Sequence, residues 1–139
     1  MAQAAAQKRS EAAEQSFHGT FCWNELMTRD IEGAKRFYRD TIGWSFEPMK
    51  MDWGAYWIAK SGDKTVGGLF DLVSPDFDGV ANAWMSYIAV DDVDARIAKA
   101  EKSGGKLMRP IFGVPGVGRI AILMQPDGAG VAWMTPESA

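Results

Sequence analysis

Hydrophobic and polar positions alternate along much of the chain with a period of two, and at two places the rhythm lengthens to the turn of a helix. Thr20 to Met27 alternates as a strand, after which Ile31, Ala34, Tyr38 and Ile42 recur at helical spacing on one face. Asp30 precedes that run as an N-cap and Gly43 follows it as a helix stop. Three strands are predicted next, at about Trp44–Met49, Ala55–Lys60 and Thr65–Leu72, with Ser61-Gly62-Asp63 turning between the last two. The order then returns. A strand at Trp84–Val90 leads to a helix from about Val93, with Val93, Ile97 and Ala100 on one face, Asp91 or Asp92 as its cap and Gly104-Gly105 as its stop. Strands follow at about Lys106–Phe112, Arg119–Met124 and Ala129–Met134, the last two joined at Pro126-Asp127-Gly128.

Sliding the chain by 62 residues superposes Asp30 on Asp92, Gly43 on Gly105, Pro48 on Pro110, Ile58 on Ile120, Ala59 on Ala121 and Gly68 on Gly130. Identities and element order together predict an α+β chain of two β-α-β-β-β modules. The first runs over 19–73 and the second over 84–136, both within a single domain at 19–136. Residues 74–83, rich in Pro, Asp and Gly, form the linker. Residues 1–18, rich in Ala, Gln and charge, read as a tail with too little apolar surface to order themselves.

Composition narrows the function classes. The chain has 139 residues, 47% of them hydrophobic, with a net charge of −3, one Cys and one His, which suits one globular domain. No apolar run reaches the roughly 20 residues of a membrane helix, and no basic stretch offers a footprint for nucleic acid. Cys22 has no partner for an internal disulfide, and the N-terminus lacks the apolar core of a signal peptide, so the reducing cytoplasm is expected. By strand parity Cys22 should face the helix as a small buried side chain, and His18 should lie at the surface. The acidic cluster Asp91, Asp92 and Asp94 opens a helix, where carboxylates are favoured. Gly113 to Gly118 lacks the Lys-Ser/Thr ending of a phosphate loop and reads as a hairpin. Trp84 and Trp133 share the strand face that carries Asn24 and lie beneath the helices or at a subunit contact.

The run Trp23-Asn24-Glu25-Leu26-Met27-Thr28-Arg29-Asp30, then Phe37-Tyr38 and Ile42-Gly43-Trp44, resembles the vicinal oxygen chelate superfamily of glyoxalase I, bleomycin- and fosfomycin-resistance proteins and extradiol dioxygenases. The second module adds Val90-Asp91-Asp92-Val93-Asp94-Ala95, Gly104-Gly105, Gly118-Arg119 and Gln125-Pro126-Asp127-Gly128-Ala129, as in uncharacterised glyoxalase-like members. The resemblance covers about Gly19 to Met134. It implies paired modules whose curved mixed sheets enclose a cavity, in a homodimer.

In the metal enzymes of that superfamily, the first and last strands of each module each give one ligand. The matching positions here are Trp23, Met85, Ala132 and either Phe70 or Gly68, depending on whether the two last hairpins differ in length. None supplies a hard donor, so no metal and no other cofactor is expected. Parity adds Glu25 beside Trp23, Tyr87 beside Met85, Leu72 and Gly68 beside Phe70, and Met134 and Gly130 beside Ala132, with Trp53, Tyr56 and Trp57 near the rim. Such an aromatic, Met-rich lining suits a small, flat organic ligand. Glu25 is the candidate general acid or base and Tyr87 its assistant. Three functions stay open: metal-free binding of a small organic molecule, metal-independent proton transfer by Glu25, and a partner-binding dimer with a filled cavity.

Overall fold

The computed structural model describes residues 17–51 and 54–137. The expected tail lies almost wholly outside the described residues, and Trp53 lies outside them as well. The chain divides into two compact units whose cuts fall inside two strands, at Cys22/Trp23 and Ser86/Tyr87.

Unit Trp23–Ser86 holds most of β1 (Thr20–Thr28), then α1 (Ile31–Ile42), β2 (Ser45–Met51), β3 (Gly54–Ser61), β4 (Lys64–Asp71) and a short 3-10 turn at Pro75–Phe77. Strand β1 runs parallel to β4, whereas β3 is antiparallel to both β2 and β4. A β-α-β unit needs a crossover for the parallel pair, and α1 begins it directly after β1. Asp30 caps α1 by accepting from the Gly33 N–H, and Gly43 ends it with a φ of 79°, donating its N–H to the Tyr38 carbonyl. That left-handed φ is open to glycine at little steric cost. Ile31 packs with Ala59 and Leu69 into a core that also takes Leu26, Ala34, Trp57 and Val66.

The helix face keeps Ile31 and Ala34 as expected but departs from the expected stripe further along. Ile42, expected inside, is 57% exposed, and the buried position one turn after Ile31 belongs to Lys35. Lys35 keeps its methylene stem in the core and lays its ammonium 3.4 Å from the Trp57 ring centroid, with Glu32 Oε1 at 3.0 Å. Trp84 on β5 (Ala83–Ala89) donates its indole N–H to the Tyr38 hydroxyl and meets Trp44 edge-on.

The other unit joins the chain up to Cys22 with everything from Tyr87. It contains α2 (Val93–Lys102), β6 (Lys106–Leu107), β7 (Phe112–Val114), β8 (Gly118–Met124) and β9 (Gly130–Pro136). The C-terminal half of β5 runs parallel to β9, and β8 is antiparallel to β9, β6 and β7. Asp92 caps α2 by accepting from Ala95 N–H. Val93 and Ile97 pack on Ala121, Leu123 and Val131, with Trp133 half-buried against them. Asp91 pairs with Arg96 and Asp94 with Arg119, so the acidic cluster at the helix start is spent on arginines. Gly113–Gly118 is a hairpin turn, Val114 pairing with Gly118.

The single strand expected over Lys106–Phe112 is two pieces. Pairing passes from Leu107↔Leu123 to Phe112↔Ile120, so Met108 to Ile111 bulge opposite only Ala121 and Ile122. Pro110 has no N–H to donate, which breaks the ladder there. Cys22, expected buried, is exposed. Its thiol lies 3.6 Å from the Tyr87 carbonyl oxygen, and partial burial raises its pKa. Among the described residues no helix is long and apolar enough to cross a membrane.

Candidate functional site

In the Trp23–Ser86 unit, strand register places the expected residues on one face of the sheet. Glu25 is the Cα partner of Gly68, Met27 of Phe70, and Tyr56 of Phe70 and Met49, so Trp23, Glu25, Tyr56, Gly68 and Phe70 stand on the face opposite α1. Trp23, Glu25 and Tyr56 are joined as a hydrogen-bond relay. The Trp23 indole Nε1–H donates to Tyr56 Oη at 2.8 Å, and the Tyr56 hydroxyl donates to Glu25 Oε2 at 2.9 Å.

Tyr56, expected near a rim, is only 7% exposed and is the centre of the arrangement. Room for it comes from Gly68: a Cβ built there would stand 1.9 Å from Tyr56 Oη. Glycine in the middle of a strand costs entropy and side-chain packing, and here it lets a phenol lie across the strand. The direction of the relay is fixed by chemistry, because an indole N–H only donates and an ionised carboxylate only accepts. Burial pushes the Tyr56 hydroxyl well above its ordinary pKa, and the charge of Glu25 raises it further. The phenol therefore remains a donor throughout the working pH range. A buried carboxylate such as Glu25 is costly without hydrogen bonds to its charge, and the Tyr56 bond supplies one.

Phe70 meets Phe77, on the 3-10 turn after β4, edge-on at 5.3 Å. The Arg29 guanidinium, one residue past β1, donates to the carbonyls of Phe77 and Val80, and its backbone N–H donates to Asn82 Oδ1. Arg29 thus ties down the segment after β4. Met85 is half-buried on β5, and its neighbour Ser86 donates its hydroxyl to Asn24 Oδ1 at 2.8 Å.

Tyr87, Ala132 and Met134 belong to the other unit. Tyr87 is the Cα partner of Ala132 and Ala89 of Met134, with Tyr87 and Ala132 buried. His18, also in that unit, accepts the Asp91 N–H at Nδ1.

Register also decides between Phe70 and Gly68. Glu25↔Gly68 in one unit matches Tyr87↔Ala132 in the other, so Gly68 is the counterpart of Ala132 and Phe70 of Met134. The 62-residue offset that relates β1 to β5 and α1 to α2 therefore grows by two in the last hairpins, where Ile58↔Gly68 matches Ile122↔Ala132. The positions where the resemblance places metal ligands are Trp23, Gly68, Met85 and Ala132, and these residue types do not fit a divalent ion. Among the described residues no group of three or more His, Cys, Asp or Glu is arranged to hold one.

The sequence reading named Tyr56 but placed it at a rim, and it missed Lys35. The seating of Tyr56 against Gly68 shows only once register is known, although a glycine inside a strand is a general sign of close approach. Lys35 carried no signal, because a lysine on a helix normally marks its wet face.

Comparison with known proteins completes the picture. The family model described as Glyoxalase/Bleomycin resistance protein/Dioxygenase superfamily matches residues 20–133. The Mycobacterium tuberculosis protein named "Putative glyoxylase CFP32" is 41% identical over 112 residues, covering 80% of this chain and 42% of that one. The Streptomyces peucetius "Anthracycline biosynthesis protein DnrV" is 28% identical over 126 residues, covering 82% of this chain and 46% of that one. The chain spans less than half the length of these curated relatives. The solved structure of hypothetical protein BH1468 from Bacillus halodurans shares the fold, with a TM-score of 0.65 at 11% identity over 87% of this chain and 96% of that one.

Proposed function

The chain belongs to the glyoxalase/bleomycin resistance protein/dioxygenase superfamily, and we propose that within it this member binds a small, flat organic molecule without a metal ion. The face that carries Trp23, Glu25, Tyr56 and Phe70 is the binding surface. One observation carries this reading: the Trp23–Tyr56–Glu25 relay holds a buried carboxylate in one orientation among aromatic rings. Rings give a planar ligand stacking area, and a fixed carboxylate gives it one polar anchor. The donor-poor residue types at Trp23, Gly68, Met85 and Ala132 support the metal-free part of the reading. The name of the Streptomyces peucetius relative, an anthracycline biosynthesis protein, is in keeping with it.

A second reading makes Glu25 a metal-independent general base on a carbonyl or aromatic substrate. It is favoured by the Tyr56 bond, since a positioned, partly desolvated carboxylate is what proton transfer requires. Both readings include a homodimer, as the family resemblance implies.

Native mass spectrometry of freshly purified protein tests the proposal. A metal-free dimer carrying an organic adduct is the expected spectrum, and one divalent ion per chain would overturn the metal-free reading. Glu25→Gln then separates the two readings. Turnover of the recovered adduct by the wild type but not by the variant, with binding retained in both, would make the protein an enzyme; no turnover in either leaves it a binding protein.

A further inference from the structure

Helix α1 buries one side and turns the other outward. Ile31 and Lys35 are buried, Ala34 and Tyr38 half-buried, and Glu32 is taken up by Lys35. At helical spacing the outward side carries Gly33, Arg36, Phe37 and Asp40, and Phe37 is 59% exposed there. Its ring is supported from below. It meets Tyr38 edge-on at 5.1 Å, while Tyr38 stacks on Trp44 at 4.8 Å and accepts the indole N–H of Trp84, itself a partly exposed ring. A backed aromatic ring amid polar neighbours is how anchors at protein interfaces are built. Arg36 and Asp40 lie beside it, one turn apart and both exposed. Among the described residues neither takes part in an ion pair. Within one helix the favourable order is acid before base, and this pair runs the other way. Reversing the helix removes the mismatch: an antiparallel second α1 sets Arg36 opposite Asp40 of the second copy, and Asp40 opposite its Arg36.

We propose that the outward side of α1 is the surface through which two copies of this chain pair, the helices antiparallel, Phe37 of each beside the two-fold axis and an Arg36–Asp40 pair on either side. An axis level with Tyr38 leaves Arg36 and Asp40 two residues to either side of it. One arrangement then satisfies all four charges and covers both rings. A second copy fits because it presents the same two charges in reversed order, which is the complementarity this face requires. The relay face lies on the opposite side of the sheet from α1, so the contact does not cover it. The inference rests on the homodimer included in the readings above and names the surface that forms it.

Sedimentation velocity of the full chain over a concentration series at low ionic strength tests it. The wild type is expected to sediment as a dimer and Phe37→Asp as a monomer with an unchanged far-UV circular dichroism spectrum. Arg36→Glu sets two carboxylates against each other at both contacts, and Asp40→Lys sets two cations against each other. Either change alone should weaken association about tenfold or more. Mixed in equal amounts, the two variants place opposite charges at both contacts and should recover wild-type association. A wild-type dimer insensitive to Phe37→Asp, or charge variants that do not recover on mixing, would overturn the α1 contact and leave the homodimer standing. A monomeric wild type would overturn both and leave the face to a different partner.

Discussion

Gly68→Ala adds a single carbon, and the structure says where it would go. The new Cβ would stand 1.9 Å from Tyr56 Oη, 2.3 Å from Cζ and 2.6 Å from Cε1. A phenol ring is rigid and Tyr56 is buried, so the ring has to rotate away and surrender both of its bonds. Loss of the bond to the Glu25 carboxylate costs about 1.5–3 kcal/mol and loss of the neutral bond from Trp23 about 1 kcal/mol. Alanine recovers about 0.5–1 kcal/mol through the unfolded chain. The net expectation is a loss of about 2–3 kcal/mol, read as a lower urea midpoint. In a Tyr56→Ala background the three nearest atoms, all of them Tyr56's, are gone, and the same substitution should cost far less than in the wild type. A wild-type cost below about 0.5 kcal/mol, or an equal cost in both backgrounds, would refute the seating of Tyr56 over Gly68.

Three other perturbations have defined outcomes. Lys35→Met keeps the buried stem over Trp57 and should move stability by less than about 1 kcal/mol, whereas Lys35→Glu sets a carboxylate against the ring and beside Glu32 and should cost about 2 kcal/mol or more in urea unfolding. Arg119 beside Asp94 holds that carboxyl below its ordinary value, so the pair's stabilisation is present above about pH 4 and is lost as pH falls through the lowered folded value. Asp94→Asn should therefore lower the melting temperature near neutrality, with the difference from wild type vanishing in strong acid. Arg29→Ala removes the donors to the Phe77 and Val80 carbonyls and should speed limited proteolysis of residues 77–82 while shifting the unfolding midpoint by less than about 1 kcal/mol.

The element order was legible in the sequence because each signal was local. Asp30, Gly43, Asp92 and Gly128 act through their own caps and turns, and all four do so in the structure. Glu25 was legible as a buried carboxylate because strand alternation fixes which face it takes. Features that depend on pairing between distant strands were not legible. A constant 62-residue offset cannot show the two extra residues of the second hairpin, and this left Phe70 and Gly68 undecided until register separated them. Tyr56 looked peripheral because nothing local reveals that a glycine twelve positions later, across a hairpin, leaves its hydroxyl room. Cys22 and Ile42 were misread for a shared reason: periodicity identifies a face, and near the end of an element that face has already run past its neighbours.

The growth of the offset bears on how many copies of the proposed binding face one chain carries. Applying the corrected register, the counterparts of Trp23, Glu25, Tyr56 and Gly68 are Met85, Tyr87, Ile120 and Ala132. Where isoleucine stands in place of the tyrosine, alanine stands in place of the glycine, as expected if the missing Cβ served only to admit a phenol. The two halves differ at these positions: one carries the Trp23–Tyr56–Glu25 relay, and the other has Met85, Ile120 and Ala132 with a tyrosine, Tyr87, where the first has Glu25. If ligand binds at the relay face as proposed, a symmetric pair of halves would titrate with two equivalents per chain, and this chain, with one relay, should saturate at one.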